Sequence, residues 1–307
     1  MVDGLQLHDP ASDTPLAGSD AALRETRRGP GGDIRASFYV ITVNYGHDAQ
    51  LVRLLESLRT LGYLTRVIIV DHSDPSPLDG DNYPFPIERV RAENRGYGAG
   101  LNRGLNMVGD PNGVALLCNP DVRVLDPDGL GEAIRYLLSE PRIGCLLPRL
   151  INAERKPIYS VRKFYDLWSL AASRIPLLRN NPRRFMRDHF CVDAIDRSEP
   201  VAADWGSGSA LLVRTSMFPH ALSFDERFFL YFEDVDLCAA VWKRGLSVVF
   251  YPRAVVMHEE QGMSRKSIRF LLMHFAGLIR FVIKYRGLPN RGRLTDSYTA
   301  PTGAHRQ

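Results

Sequence analysis

Cysteine is scarce in this chain: 4 in 307 residues, at Cys118, Cys145, Cys191 and Cys238, with no C-x-x-C pair among them. That usage excludes a zinc knuckle and a disulfide framework and fits a reducing, cytoplasmic compartment. Long apolar runs are missing too. No stretch approaches the ~18 consecutive apolar residues of a spanning helix, and the polar N-terminus lacks the basic-then-apolar order of a signal peptide. Charge of one sign is also in short supply: 39 Lys and Arg against 35 Asp and Glu leave +4, too little to call for a nucleic-acid partner. What is present is 45% apolar and 24% charged residues, the balance of a chain that buries a large core, and this excludes disordered and collagen-like classes.

Residues 1–36 show no apolar periodicity and read as a mobile tail. From Ser37 the pattern changes. Phe38 to Val43 is a β-branched and aromatic run closed by Asn44-Tyr45-Gly46; Leu51, Leu54, Leu55, Leu58 and Leu61 recur at helical spacing behind a cap at Asp48; Val67 to Val70 is a second apolar run stopped by Asp71. The alternation continues with a strand at Ile87–Val90, a helix over Gly98–Val108, a strand at Val114–Cys118 ending in Asn119-Pro120-Asp121, a helix over Pro127–Ser139 and a strand at Ile143–Leu147. Strands apolar on both faces and separated by helices predict an open, mostly parallel α/β sheet. Ligands in such sheets sit beyond the carboxyl ends of the strands, which singles out Asn44, Asp71 and Asp121. Further on, Ala210–Val213, Val248–Tyr251 and Val255–Met257 read as strands, and a helix runs from about Glu233 to Arg244 with Gly245 as its C-cap.

Several residues there can do chemistry, and each also has a plainer reading. The glycines of Asn94-Arg95-Gly96-Tyr97-Gly98-Ala99-Gly100-Leu101-Asn102-Arg103-Gly104 do not keep the dinucleotide fingerprint and follow the third strand rather than the first. They fit a loop where backbone approaches a ligand, with Arg95 and Asn102 as donors, or a turn packed on the sheet. Asp121 closes a buried strand; it is either a helix cap or a metal anchor sharing Mg²⁺ or Mn²⁺ with substrate phosphates. Glu233-Asp234-Val235-Asp236 puts three acids at a helix start, where acids are favoured in any case. Beside Phe228–Phe232, burial would raise their pKa and suit one of them to general-base work. His258 is either a core histidine or part of a metal or diphosphate site with Asp121.

Together these segments resemble the rhamnosyltransferase-like branch of family 2 glycosyltransferases. The matching segments are Val-Asp-His-Ser-Asp (70–74), the glycine-rich stretch (94–104), Asn-Pro-Asp-Val (119–122), Asp-Trp-Gly-Ser-Gly-Ser-Ala-Leu-Leu-Val-Arg (204–214), Phe-Asp-Glu-Arg-Phe-Phe-Leu-Tyr-Phe-Glu-Asp-Val-Asp-Leu (224–237) and His258. The resemblance implies a GT-A domain over residues 37–263, with a nucleotide-binding half (37–148) and an acceptor and catalytic half (149–263). It implies a nucleotide-sugar donor, Mg²⁺ or Mn²⁺ as cofactor, and inversion in one displacement. Residue by residue, it gives Asp234 as the base with Glu233 beside it, Asp121 and His258 at the metal, and Asn44, Asp71, Arg95, Gly96, Asn102 and Asn119 on the donor. Trp205 and Gly208 fall on the acceptor-side loop. Asn119 stands where many relatives have a first acid, leaving one direct carboxylate ligand, and His72 stands where asparagine is commoner. The favoured donor is dTDP-L-rhamnose and the acceptor a lipid-linked or polysaccharide hydroxyl in bacterial surface-glycan synthesis. Another dTDP- or UDP-sugar, a nucleotidyltransferase, or an inactive sugar-binding scaffold are the alternatives.

Two basic stretches complete the reading. Between Arg149 and Arg187 ten Lys and Arg face only Glu154 and Asp166, with Phe164, Tyr165 and Trp168 among them and turns at Ile175-Pro176 and Asn181-Pro182; this is a solvated lobe or one that meets phosphate or membrane. Residues 264–307 begin as a basic amphipathic helix and end as a polar tail. From Ser264 to Arg293 there are eight Lys and Arg, no acids, and Ile268, Leu271, Leu272, Phe275, Ile279 and Val282 at helical spacing. Either residues 264–286 lie on an anionic membrane at its cytoplasmic face or the helix packs on the core.

Overall fold

The computed structural model describes residue 34 and residues 36–74, 82–166, 189, 191, 194, 197–218, 221–259 and 268–296. The N-terminal tail before residue 34, the basic stretch around Trp168 with its two Pro turns, the start of the C-terminal basic stretch at Ser264 and the polar tail from residue 297 lie outside the described residues.

The elements run β1 (Phe38–Asn44), α1 (Asp48–Leu58), β2 (Leu64–Asp71), β3 (Ile87–Arg91), α2 (Tyr97–Asn106), β4 (Val114–Cys118), β5 (Val122–Val124), α3 (Pro127–Ser139) and β6 (Ile143–Ile151). They continue with β7 (Val161–Arg162), β8 (Val201–Ala202), β9 (Trp205–Gly206), β10 (Ala210–Arg214), α4 (Glu233–Lys243), β11 (Ser247–His258), α5 (Ile268–Lys284) and α6 (Arg291–Asp296). Nine strands form one sheet in the order β3-β2-β1-β4-β10-β6-β11-β5, with β8 also on β11; β7 and β9 pair separately. β1, β2, β3 and β4 are mutually parallel, as are β6 and β11. β10 is antiparallel and joins the two parallel blocks.

Alternation along the strands divides the core into two layers. Tyr39, Ile41 and Val43 face α2 and α4, whereas Phe38 and Val40 face α1 and α3. Strands covered on both faces carry no polar alternation, which is why β4 is apolar throughout and β1 has only Thr42 before the polar Asn44 at its end. The helix over Pro127–Ser139 starts at Pro127 with Asp126 as N-cap, its carboxylate accepting from Gly129 N at 2.9 Å. Asp48 does not cap α1 as expected. It is the first helical residue, and its carboxylate turns to Asn44 and Arg89 instead. Gly245 has φ +69 beyond α4, with Gly245 N bonded to Trp242 O and Leu246 N to Val241 O, the pairing of a left-handed helix stop.

The expected strands at Val248–Tyr251 and Val255–Met257 are one strand, β11, with a register shift between Tyr251 and Val255 around Pro252. This length has a consequence for the site. The far half of β11 pairs antiparallel with β5, and His258 sits opposite Val122, one residue from Asp121. Among the described residues no helix is long and apolar enough to cross a membrane.

Candidate active site

Three groups of polar side chains gather at the carboxyl ends of the central strands. The first lies between β1 and β2, where the parallel register places Asn44 opposite Asp71. Asp71 is fully buried and accepts from Asn44 Nδ2 (3.1 Å), Ser73 N (3.1 Å), Ser73 Oγ (2.8 Å) and Arg89 Nε (2.9 Å), with Arg89 Nη2 also against it. Burial alone would raise its pKa, but the bonds from Arg89, Asn44 and Ser73 outweigh burial and hold the carboxyl below its ordinary value. Asn44 also donates to Asp48 and accepts from His47 N, so its carboxamide braces the strand end. Arg89 was not among the sequence candidates. The available signal was a guanidinium inside a strand neighbouring a buried acid.

The second group joins the turn after β4 to the end of β11. Asp121 Oδ1 lies 3.3 Å from His258 Nε2, and Asn119 Nδ2 lies 3.4 Å from the same nitrogen. Glu259 N donates to Asp121 O, while the Glu259 carboxylate pairs with Arg53 (3.1 Å) and Arg123. Asp121 Oδ1 is buried and has no hydrogen-bond partner. A buried carboxylate oxygen left in this state beside an imidazole suits a divalent cation, since isolated buried charge is costly. Among the described residues no third His, Cys, Asp or Glu completes a protein cage. That count suits Mg²⁺ or Mn²⁺, which keep positions for water and substrate phosphate.

The third group stands at the N-terminus of α4. Tyr231 and Phe232 both adopt left-handed backbone, at φ +69 and +71, a strained turn for non-glycine residues. It delivers Glu233 into a buried position and Asp234 into a half-buried one. Asp234 Oδ2 accepts from Gly208 N at 2.9 Å and Oδ1 from Val235 N at 2.8 Å. Burial pushes both carboxyls up; for Asp234 the two backbone donors and the charge of Arg162 oppose the rise, and for Glu233 the neighbouring Asp234 charge adds to it. Glu233 Oε2 has no partner. The shared proton therefore belongs on Glu233, and Asp234, with two N–H donors, holds the negative charge.

Tyr97 connects the second and third groups. Its hydroxyl donates to Gly208 O at 3.3 Å, and its pKa is raised by burial and then by Cys118, Glu233, Asp121 and Asp234. Asn119 N donates to Ser209 O, tying the same loop to the turn after β4. Neither Tyr97 nor Arg162 was a sequence candidate. Tyr97 lies between Gly96 and Gly98 in the glycine-rich stretch, where no spacing marks its hydroxyl as reaching the Gly208 loop.

The remaining candidates serve the frame as the structure places them. Asn102 clamps the segment after β10: Nδ2 donates to Phe224 O at 2.9 Å and to Glu226 Oε1 at 3.3 Å, and Oδ1 accepts from Phe224 N at 2.9 Å. Arg95 is exposed and paired with Glu226 at 3.2 Å. Gly96 has φ +111, and an added Cβ would lie 2.5 Å from Phe229 O, so only glycine fits where the two loops cross. Trp205 is buried, donating from Nε1 to Lys163 O at 2.9 Å under the Arg162 guanidinium, 5.0 Å from its ring. The glycine-rich stretch and the 224–232 segment thus hold each other.

The mixed sheet with its polar groups at the strand ends is the GT-A fold, and the chain is a glycosyltransferase. Its family follows from comparison, because residues 35–272 match the family described as "Glycosyltransferase like family 2", and the chain belongs to it. It is 30% identical over 239 residues to N-acetylglucosaminyl-diphospho-decaprenol L-rhamnosyltransferase of Mycobacterium tuberculosis (strain ATCC 25618 / H37Rv), covering 72% of this chain and 75% of that one. To Rhamnosyltransferase WbbL of Escherichia coli (strain K12) it is 27% identical over 265 residues, covering 82% and 95%. In fold it is similar to the mannosyltransferase PcManGT from Pyrobaculum calidifontis in complex with GDP-Man and Mn²⁺, at TM-score 0.55, 16% identity and 88% and 71% coverage. It is similar also to GalNAc-T7 with UDP, GalNAc and Mn²⁺, at TM-score 0.55, 16% identity and 73% and 44% coverage.

Proposed function

We propose that the chain transfers L-rhamnose from dTDP-L-rhamnose to a hydroxyl of a lipid-linked or polysaccharide acceptor, with inversion, in the building of a bacterial surface glycan. The donor and acceptor classes are supported by the two rhamnosyltransferase relatives. The observation that carries the mechanism is the separation of the acids: Asp234 held by two backbone N–H groups, Asp121 with a buried oxygen beside His258.

Asp234 takes the proton from the acceptor hydroxyl as that oxygen attacks the anomeric carbon, and the bond to the nucleotide diphosphate breaks on the opposite face. Tight N–H bonds fix the Asp234 carboxylate, and a raised pKa makes it a stronger base than an exposed aspartate. Glu233, carrying the pair's proton, keeps a second negative charge out of the pocket. One side-chain base suffices because the nucleotide leaves as an anion, unlike glycoside hydrolysis with its two carboxylates. Asp121 and His258, with Asn119 beside them, would hold Mg²⁺ or Mn²⁺, which when bound offsets charge on the diphosphate. Asp71, fixed by Arg89 and Asn44, forms the floor of the nucleoside side.

The test is calorimetric titration of the full chain with dTDP-L-rhamnose, UDP-glucose, UDP-galactose and GDP-mannose, each with and without Mg²⁺ or Mn²⁺. Metal-dependent preference for dTDP-L-rhamnose is expected. Preference for another sugar nucleotide overturns the donor, and no binding to any overturns the transferase reading.

A further inference from the structure

Helix α5 has two faces with opposite fates. Its inner face carries Gly277, Phe281, His274 and Lys284. Gly277 is packed so closely that an added Cβ would lie 3.0 Å from both Phe232 Cδ2 and Tyr231 O. His274 meets Phe232 edge-on with ring centres 5.1 Å apart, and Phe281, fully buried, lies 5.7 Å from the same ring. Lys284 bonds Asp225 at 2.8 Å and Asp236 at 2.7 Å. The helix is therefore bolted to the strained turn that delivers Asp234.

The outer face is apolar and open. Ile268, Leu272, Phe275, Ile279 and Ile283 are exposed, at 77%, 62%, 50%, 45% and 71%. At about 100° per residue they fall within roughly 80° of one another, opposite Gly277 and Phe281. Arg269 and Arg280 are exposed along one flank of this stripe, Arg286 is exposed at its end, and no acid occurs between Ile268 and Arg286. A soluble surface rarely exposes so continuous a stripe without a partner for it.

We propose that the outer face of α5 is a docking surface for an anionic phospholipid bilayer. The occupant follows from charge. An apolar stripe whose only charged neighbours along the helix are cations matches a surface that offers acyl chains below and negative headgroups above. A second copy of the same helix would meet the stripe with arginines and no acids to answer them. Docked this way, the helix lies in the interface plane with the Tyr231–Phe232 turn, which leads into Asp234, packed against its inner face. The surface does not depend on which sugar nucleotide is the donor.

The experiment is vesicle co-sedimentation of the full chain with phosphatidylcholine and with equal parts phosphatidylcholine and phosphatidylglycerol, at low and high salt. Sedimentation velocity in parallel gives the oligomeric state. The wild type is expected to bind the anionic vesicles at least ten-fold better than the neutral ones and to be released by salt. Leu272→Glu with Ile279→Glu should lose that binding at least ten-fold with an unchanged unfolding midpoint and unchanged calorimetric sugar-nucleotide binding. Should that pair fail to fold, Arg269→Gln with Arg280→Gln should still weaken binding several-fold. Wild-type protein left in the supernatant, undiminished binding by both folded variants, or a dimer split by the substitutions in place of vesicle binding would each overturn the proposal. The sugar-nucleotide titration stands apart, so a failed transferase reading shows there and not in the vesicle result.

Discussion

The backbone N–H of Gly208 donates to Asp234 Oδ2 at 2.9 Å, and a Cβ placed on Gly208 would stand 3.2 Å from Asp234 Cβ. One bare residue therefore both aims the carboxylate proposed as the base and leaves room for it. Gly208→Ala should push the carboxylate by a few tenths of an ångström and lower kcat about ten-fold, in keeping with the cost of small misplacements at a reacting centre. The unfolding midpoint should hold, because the loop needs no left-handed backbone at this position. Steady-state kinetics with thermal unfolding checks it; an unchanged kcat removes Gly208 from the base's positioning.

The pH dependence follows from the same carboxylate. As the proposed base Asp234 acts deprotonated, and burial raises its pKa, so the rising limb of kcat against pH should lie above the ordinary aspartate range. Arg162 opposes that rise by its charge. Arg162→Gln should move the limb further toward high pH while leaving the plateau within a few-fold. A limb at the ordinary aspartate value, or one that moves down in the variant, contradicts the assignment.

Lys284→Met tests the bolt between α5 and α4. Asp236 is 1% exposed and loses its cation, keeping only Tyr285 Oη as a side-chain donor. Leaving a buried acid unpaired costs about 2 kcal/mol here, below the ~3–5 kcal/mol of a wholly buried pair because the lysine is part exposed. Burial already raises the Asp236 pKa against the pull of Lys284, and losing Lys284 raises it further. The native variant then holds a proton that the unfolded chain releases. Its stability falls as pH climbs from the ordinary aspartate value through the raised one. Denaturant unfolding should show the largest deficit near neutrality and a smaller one near pH 5; a deficit independent of pH would mean lost packing instead.

Much of this was legible in the residues. Strand ends marked by Asn44, Asp71 and Asp121 are the positions where the polar groups gather, because a charged or amide group is costly inside a strand buried on both faces and finds partners where the strand stops. The limits of α3 were written in Asp126 and Pro127. Other features depend on the third dimension. The antiparallel β10 seated between two parallel blocks, and the register that brings His258 back to Asp121, come from pairings far apart in sequence. Arg89 and Arg162 act on acids, and Tyr97 on the Gly208 carbonyl, all contributed by other elements, so no local pattern marks them. Asn102 carries a bond that spacing does not mark: its carboxamide clamps the backbone of Phe224.

The most direct measurement of the central claim is paired calorimetry and transfer assay on Asp234→Asn and Asp121→Ala. The account predicts that Asp234→Asn binds the donor with metal almost as the wild type does yet loses transfer by at least ~10²-fold. Asp121→Ala should lose metal-dependent donor binding and transfer together. Equal loss of donor binding in the two variants would contradict the division of labour between the acids and remove Asp234 as the base.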